Sequence, residues 1–153
     1  MTVFAKDIMV RSFDTVNENA PIQGALDLII NGRVRHNGQK SCSLMVVSDI
    51  RQLTGVVTMY DLLYHLRPDF LNHGIDADTM PWNGQLKTVI DLLKRKTVKE
   101  VMSPNVISAA QEEHIMVVLD RMVKNKYRRL PVLQNGIPIG IVYLADICCH
   151  IFK

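Results

Sequence analysis

The sequence predicts an α+β fold made of two pseudo-symmetric β-α-β-β-α copies packed on each other. Three observations predict it. First, Gly55-Val56-Val57-Thr58-Met59-Tyr60-Asp61 is answered by Gly140-Ile141-Val142-Tyr143-Leu144-Ala145-Asp146, each run lying between an apolar strand-like and an apolar helix-like stretch. Second, Ala5 to Met9 aligns with Val98 to Met102, and Ile22, Leu26 and Asp27 align with Ile115, Leu119 and Asp120. Third, each copy is too short to bury a core comfortably alone, so the two must pack together. A repeat of this kind decides how the whole chain is read.

Taken in order, residues 13–16 read as a strand. Glu18 or Asn19 opens a helix with Pro21 in its first turn, where a missing N–H is tolerated. Ile22, Leu26, Ile29 and Ile30 form its apolar face. An insertion within residues 33–42 holds Asn37, Gly38 and several charges, which suits a surface loop. Residues 44–48 and 52–57 are strands around the turn Asp49-Ile50-Arg51, and residues 60–66 are a helix.

Residues 67–95 do not repeat. Arg67-Pro68-Asp69 ends the preceding helix. Asn72-His73-Gly74 and Met80-Pro81-Trp82-Asn83-Gly84 are loop signals, and Leu86, Val89, Ile90 and Leu93 recur at helical spacing. Trp82 reads as packing over the domain edge, with a lid or dimer contact as the alternative. A connection this long inside a compact domain suggests a role of its own.

In the second copy, residues 98–102 lead in, Pro104 breaks the chain, and Val106-Ile107-Ser108 is a short strand. Gln111-Glu112-Glu113 puts acid at a helix start, where the dipole favours it. Ile115, Val118, Leu119, Met122 and Val123 give that helix one apolar face, and Asn125 ends it. Residues 129–133 are a strand in which Pro131 argues for an edge or irregular position. Gln134-Asn135-Gly136 is a tight turn, so residues 137–143 return antiparallel. Residues 144–152 form the last helix. The expected domain limits are 1–66, 67–95 and 96–153.

Composition sets the class. The chain has 153 residues, 48% hydrophobic and 22% charged, an ordinary globular balance. No apolar run approaches the roughly 18 residues a membrane helix needs. Lys6, Asp7 and Arg11 interrupt the first apolar stretch, which is therefore no signal peptide. The three cysteines are Cys42, Cys148 and Cys149. Two are adjacent and cannot easily bridge, so reduced thiols and a cytoplasmic location are expected. His150 beside them does not complete a metal-ligand set. A net charge of +3 is too weak to argue for nucleic acid. The clusters at Arg33-Val34-Arg35-His36, Lys94-Arg95-Lys96 and residues 124–129 read as solvated faces.

The motifs together resemble a stand-alone tandem pair of cystathionine-β-synthase (CBS) domains, a Bateman module. The residues that carry the resemblance are Asp7-Ile8-Met9 and Glu100-Val101-Met102, Tyr127-Arg128-Arg129-Leu130-Pro131-Val132, and the two Gly-to-Asp runs. Any one is weak; all of them, twice and in order, cover the full length. The resemblance implies that the two repeats pack sheet to sheet, with a cleft between them that holds up to two adenosine-ligand sites, and homodimers. It also implies regulation of an unidentified partner protein by bound AMP, ADP or ATP, with S-adenosylmethionine as the alternative. No cofactor is required.

The chemistry of the site follows residue by residue. Asp61 and Asp146 fall in the first turn of a helix, where a carboxylate can accept both ribose hydroxyls and the nearby N–H groups favour phosphate. Thr58 adds a hydroxyl donor for the same anion. Arg128 and Arg129 offer bidentate charge to phosphate. Gly55 and Gly140 suggest a bulge or a close approach. The resemblance places adenine against the backbone of Ser12-Phe13 or Asn105-Val106, with Met45 and Leu130 as apolar walls. The copies are unequal: Ser43 and Leu44 stand where the first would have arginines, and Tyr143 replaces the hydroxyl of the second. Tyr143 either fills its site or stacks on a base. One dominant site is expected in the first copy, with arginine reaching over from the second. Arg33, Arg35 and His36 are alternative cations.

Other classes fit less well. His65, His73, His114 and His150 have no triad or metal spacing and no P-loop is present, so an enzyme is not expected. No aromatic-interleaved RNA motif or helix-turn-helix supports nucleic-acid binding. A purely structural dimerisation module with degenerate sites is the remaining alternative.

Overall fold

A computed structural model describes residues 2–35, 38 and 42–153. The first part of the chain runs α1 (Ala5–Ile8), β1 (Thr15–Asn17), α2 (Ile22–Asn31), β2 (Ser43–Val47), β3 (Leu53–Thr58) and α3 (Met59–Leu66). Two short 3-10 turns, Asp69–His73 and Ala77–Thr79, lead to α4 (Gln85–Lys94). The rest is α5 (Val98–Val101), β4 (Ser103–Pro104), β5 (Ala109–Ala110), α6 (Ile115–Asn125), β6 (Arg129–Gln134), β7 (Ile137–Tyr143) and α7 (Leu144–Phe152). Each copy therefore has the β-α-β-β-α order, preceded by a one-turn lead-in helix that in the second copy continues into the short strand β4.

The chain forms two compact units, and their membership does not follow the repeats. One comprises residues 14–48 and 54–104; the other comprises 1–13, 49–53 and 105–153. They are called here the Asp61 unit and the Asp146 unit. Each therefore contains the lead-in helix that the sequence assigns to the opposite copy.

The Asp61 unit carries a four-stranded sheet in the order β1-β2-β3-β4. β1 is parallel to β2, and β4 runs antiparallel to β3 at Gly55 and Val56. Its core contains Ile22, Val46, Val57, Val98 and Val101, all essentially inaccessible. Helix α2 buries Ile22, Ala25 and Ile29, at the spacing that puts them on one stripe. The Asp146 unit carries β5-β6-β7, with β5 parallel and β7 antiparallel to β6. Val118, Met122, Leu130, Val132 and Val142 are fully buried there.

The lead-ins are fastened by matching hydrogen bonds. In the Asp146 unit Ala5 N–H donates to Glu113 O (2.9 Å), Lys6 N–H to Gln111 O (3.1 Å) and Ile115 N–H to Val3 O (2.8 Å). In the Asp61 unit Val98 N–H donates to Ala20 O (2.9 Å), Lys99 N–H to Glu18 O (2.8 Å) and Ile22 N–H to Lys96 O (3.0 Å). These are the same three bonds at repeat-equivalent positions.

Several sequence expectations shift. The first strand is Thr15–Asn17, not 13–16, because its partner Met45–Val47 begins there. Helix α2 starts at Ile22 rather than at Glu18 or Asn19. Asn17 Oδ1 accepts the Asn19 N–H (2.8 Å), so that stretch closes an Asx turn instead. The strand expected at 106–108 is Ala109–Ala110, set by its pairing with Val132 and Leu133. Helix α6 begins after Glu113, with His114 Nδ1 accepting the Met116 N–H (3.0 Å). Pro131 lies in the central strand of its sheet, not at an edge. Its opposite residue Ile141 exchanges both backbone hydrogen bonds with Val10 (2.8 and 3.0 Å). The Pro131–Ile141 pair is thus a non-hydrogen-bonded one, and β7 asks nothing of the missing N–H. The Asn135-Gly136 turn has φ of 53° and 80°, the mirror-image geometry that Asn-Gly favours.

Candidate functional site

The end of β3 shapes one carboxylate. Thr58 is extended (φ −120°, ψ 167°) and caps α3, with its hydroxyl accepting the Asp61 N–H at 3.2 Å. Asp61 Oδ2 in turn accepts the Thr58 N–H (2.9 Å) and hydroxyl (3.0 Å). This reciprocal capping box fixes both side chains. It also engages the Thr58 hydroxyl proton within the cap, not toward an anion. Asp61 Oδ1 points elsewhere and accepts the Ser103 hydroxyl from β4 at 2.8 Å. Met59, the first residue of α3, donates its N–H to Cys42 O (3.0 Å).

The equivalent junction in the Asp146 unit is built differently. Tyr143 ends β7 and precedes α7 without a side-chain cap. Leu144 N–H donates to Arg128 O (2.9 Å). Asp146 lies half-buried in the first turn of α7. Arg129 opens β6 directly across from Tyr143, and Arg128 just before it is exposed. Leu130 is fully buried in the core.

Thr58, Asp61 and Met45 therefore belong to one unit, with Met45 buried on β2 opposite Thr15. Arg128, Arg129, Leu130, Tyr143, Asp146, Ser12, Phe13, Asn105 and Val106 belong to the other. Asn105 adopts a left-handed φ of 61°. Arg33 pairs with Asp14 through Nε (3.2 Å), and His36 lies outside the described residues.

The motif glycines have a definite cause. A Cβ on Gly55 would lie 2.6 Å from Met102 Sδ and 2.8 Å from Ser103 O. A Cβ on Gly140 would lie 2.7 Å from Met9 Sδ and 2.9 Å from its Cγ. In each unit the lead-in methionine occupies the space a side chain would need. Ser103 and these methionines are the residues that motif reading missed. The signal was present in the matched Met9 and Met102, but nothing in one strand shows what lies over it.

Elsewhere, Trp82 Nε1 donates to Ala77 O (2.8 Å) and its ring stacks on Phe70 at 6.4 Å, both partners lying within the connecting segment itself. A cavity of about 450 Å³ lies at the C-terminal end of α3, away from Asp61, and is lined by Tyr64, Arg67, Val89, Leu92 and Lys96 among others. Among the described residues no group of three or more His, Cys, Asp or Glu is placed to hold a metal ion. No helix among them is long and apolar enough to cross a membrane.

This fold and its paired strand-to-helix junctions define a tandem CBS-domain protein. The CBS domain family matches residues 5–68 and 98–153, and the chain belongs to that family. Among solved structures, CBSX2 in complex with AMP superposes with a TM-score of 0.69 at 22% identity, covering 97% of this chain and 95% of that one. The CBS domain pair of MJ0100 in complex with 5′-methylthioadenosine and S-adenosyl-L-methionine gives 0.66 at 24% identity, with 99% and 97% coverage. In sequence, the gamma-3 subunit of 5′-AMP-activated protein kinase from Sus scrofa is 27% identical over 138 residues, which is 90% of this chain and 23% of that protein. The chain spans 23% to 40% of the length of the curated relatives it matches.

Proposed function

We propose that this protein is a regulatory module that binds an adenine nucleotide (AMP, ADP or ATP) at Asp61 and signals to a partner protein, without catalysing a reaction. The observation that carries the reading is the Asp61 carboxylate. Its Oδ2 is fixed by the Thr58 cap, and its Oδ1 is presented to a hydroxyl donor. A carboxylate so placed suits a ribose diol, and the positive end of the α3 dipole favours a phosphate nearby, with the Met59 and Asp61 N–H groups already engaged. Family membership supports the nucleoside class, since CBSX2 and MJ0100 are described with adenosine ligands. The Asp146 junction, with Tyr143 and no side-chain cap, is the weaker of the two.

The same reading includes a homodimer. Helix α3 leaves Tyr60, Leu63 and Tyr64 exposed, and α7 leaves Ile151 and Phe152 exposed. Apolar helix faces of this kind mark interaction surfaces.

Thermal denaturation against AMP, ADP, ATP, GTP and S-adenosylmethionine tests the ligand. A ligand at about 100 times its Kd adds roughly 2.7 kcal/mol, which raises Tm by about 5–10 °C in a chain of this size. Asp61→Ala abolishes the shift and Asp146→Ala leaves most of it. No shift with any of the five, or loss on Asp146→Ala alone, refutes the assignment.

A further inference from the structure

Ser103 reaches Asp61 from a distant part of the chain. Its hydroxyl donates to Asp61 Oδ1 at 2.8 Å, across 42 residues of sequence. Chemically this is the bond a ribose hydroxyl would make: an aliphatic O–H donated to a carboxylate oxygen. The other oxygen, Oδ2, already accepts two donors from Thr58. A ribose diol must therefore address Oδ1, where Ser103 sits.

The placement of Ser103 connects it to the lead-in. It lies on β4 opposite Val56, immediately after Met102, whose sulfur fills the space over Gly55. The counterpart of Ser103 in the Asp146 unit is Val10, which pairs with Ile141 as Ser103 pairs with Val56. Valine has no hydroxyl, so Val10 cannot repeat this contact at Asp146.

We infer that Ser103 is a built-in competitor for the ribose diol. In the free protein it occupies Asp61 Oδ1; a nucleoside ligand takes its place there and releases β4 from the carboxylate. Occupancy is thereby read by the α5–β4 segment, because the ligand favours the state in which Ser103 has let go. The inference rests on the nucleotide reading of Asp61 and names how that site is regulated.

Calorimetric titration of the full chain with AMP tests it, using wild type, Ser103→Ala and Ser103→Thr. Removing one hydrogen bond to a charged group at a partly exposed site makes Ser103→Ala bind AMP roughly three- to tenfold tighter. Ser103→Thr keeps a hydroxyl and binds as wild type does. The gain disappears when 2′,3′-dideoxy-AMP, which lacks the diol, replaces AMP; a general loosening of the strand would give the gain with both probes. If wild type binds AMP but Ser103→Ala binds it equally or more weakly, the competitor role is refuted while the nucleotide site stands. If neither protein binds AMP or ATP, the nucleotide reading fails and this inference falls with it.

Discussion

Alanine at Gly55 and at Gly140 should have different consequences, although the two glycines are equivalent in the repeat. Neither residue has a positive φ, so the backbone itself accepts alanine. In open space each change would stabilise by about 0.4–1 kcal/mol through the unfolded chain. The surroundings reverse this. At Gly140 the three nearest atoms belong to the Met9 side chain, whose Sδ and Cγ can turn aside, leaving its Cβ at 3.1 Å. At Gly55 the new Cβ also meets the Ser103 carbonyl at 2.8 Å, and that oxygen belongs to a strand paired with β3. Overpacking costs about 1–3 kcal/mol. Net of the entropy gain, Gly55→Ala loses about 2 kcal/mol and Gly140→Ala about 1 or less. Gly55→Ala then lowers Tm by about 4–8 °C. A double-mutant cycle separates the causes. Met9→Ala removes most of the Gly140→Ala penalty, whereas Met102→Ala leaves the Gly55→Ala penalty largely in place. Scanning calorimetry on the single and double variants reads this directly. A more stable Gly55→Ala protein, or full rescue by Met102→Ala, would refute the close-approach argument.

Other outcomes follow from named contacts. Arg121 donates to both oxygens of Glu113 (2.9 and 2.7 Å), and this pairing, ahead of the Ala110 N–H, holds the Glu113 carboxyl below its ordinary value of 4.5. A depressed carboxyl stabilises the fold above the unfolded value, and that contribution is lost as pH falls through the folded one. Glu113→Gln is thus less stable by about 1 kcal/mol near neutral pH, and the gap to wild type narrows at acid pH as the carboxyl takes up its proton. Urea unfolding at neutral and acid pH checks this, and a constant gap would contradict it. Thr58→Ala removes the α3 cap and loses about 1 kcal/mol. Because its hydroxyl is engaged with Asp61, it weakens AMP binding less than Asp61→Ala does; equal losses by calorimetry would show a direct phosphate contact. Leu63→Glu puts a charge on the exposed face of α3 and converts the proposed dimer to monomer in sedimentation equilibrium. An unchanged mass would place the dimer contact elsewhere.

Much of this was visible in the chain because local chemistry decides it. The Asn135-Gly136 turn, the returning strand to Tyr143 and the last helix from Leu144 to Phe152 lie where their residues put them. Helix α4 follows its apolar spacing to within a residue. Of the two positions Pro131 pointed to, the edge failed and the irregularity stands in the register shift after Val132, because proline's cost depends on which neighbour needs the N–H. That was settled by Val10, more than a hundred residues away in sequence, through its bonds to Ile141. Asp61 was legible as a first-turn acid beside a hydroxyl, since hydroxyl, spacing and acid are contiguous. Ser103 was not, because its role depends on β4 being laid against β3.

The crossed membership of the lead-in segments bears on how the protein is made. Residues 2–13 belong with the Asp146 unit, and their partners Gln111, Glu113 and Ile141 are synthesised on the order of a hundred residues later. The Asp61 unit has all of its residues once Pro104 is made. On a ribosome residues 2–13 therefore emerge before the Asp61 unit and dock after it is complete, with Met9 left waiting for Gly140. Contacts of such long sequence separation slow folding. A gene cut between the repeats would give two fragments, each missing the piece that seals its own sheet.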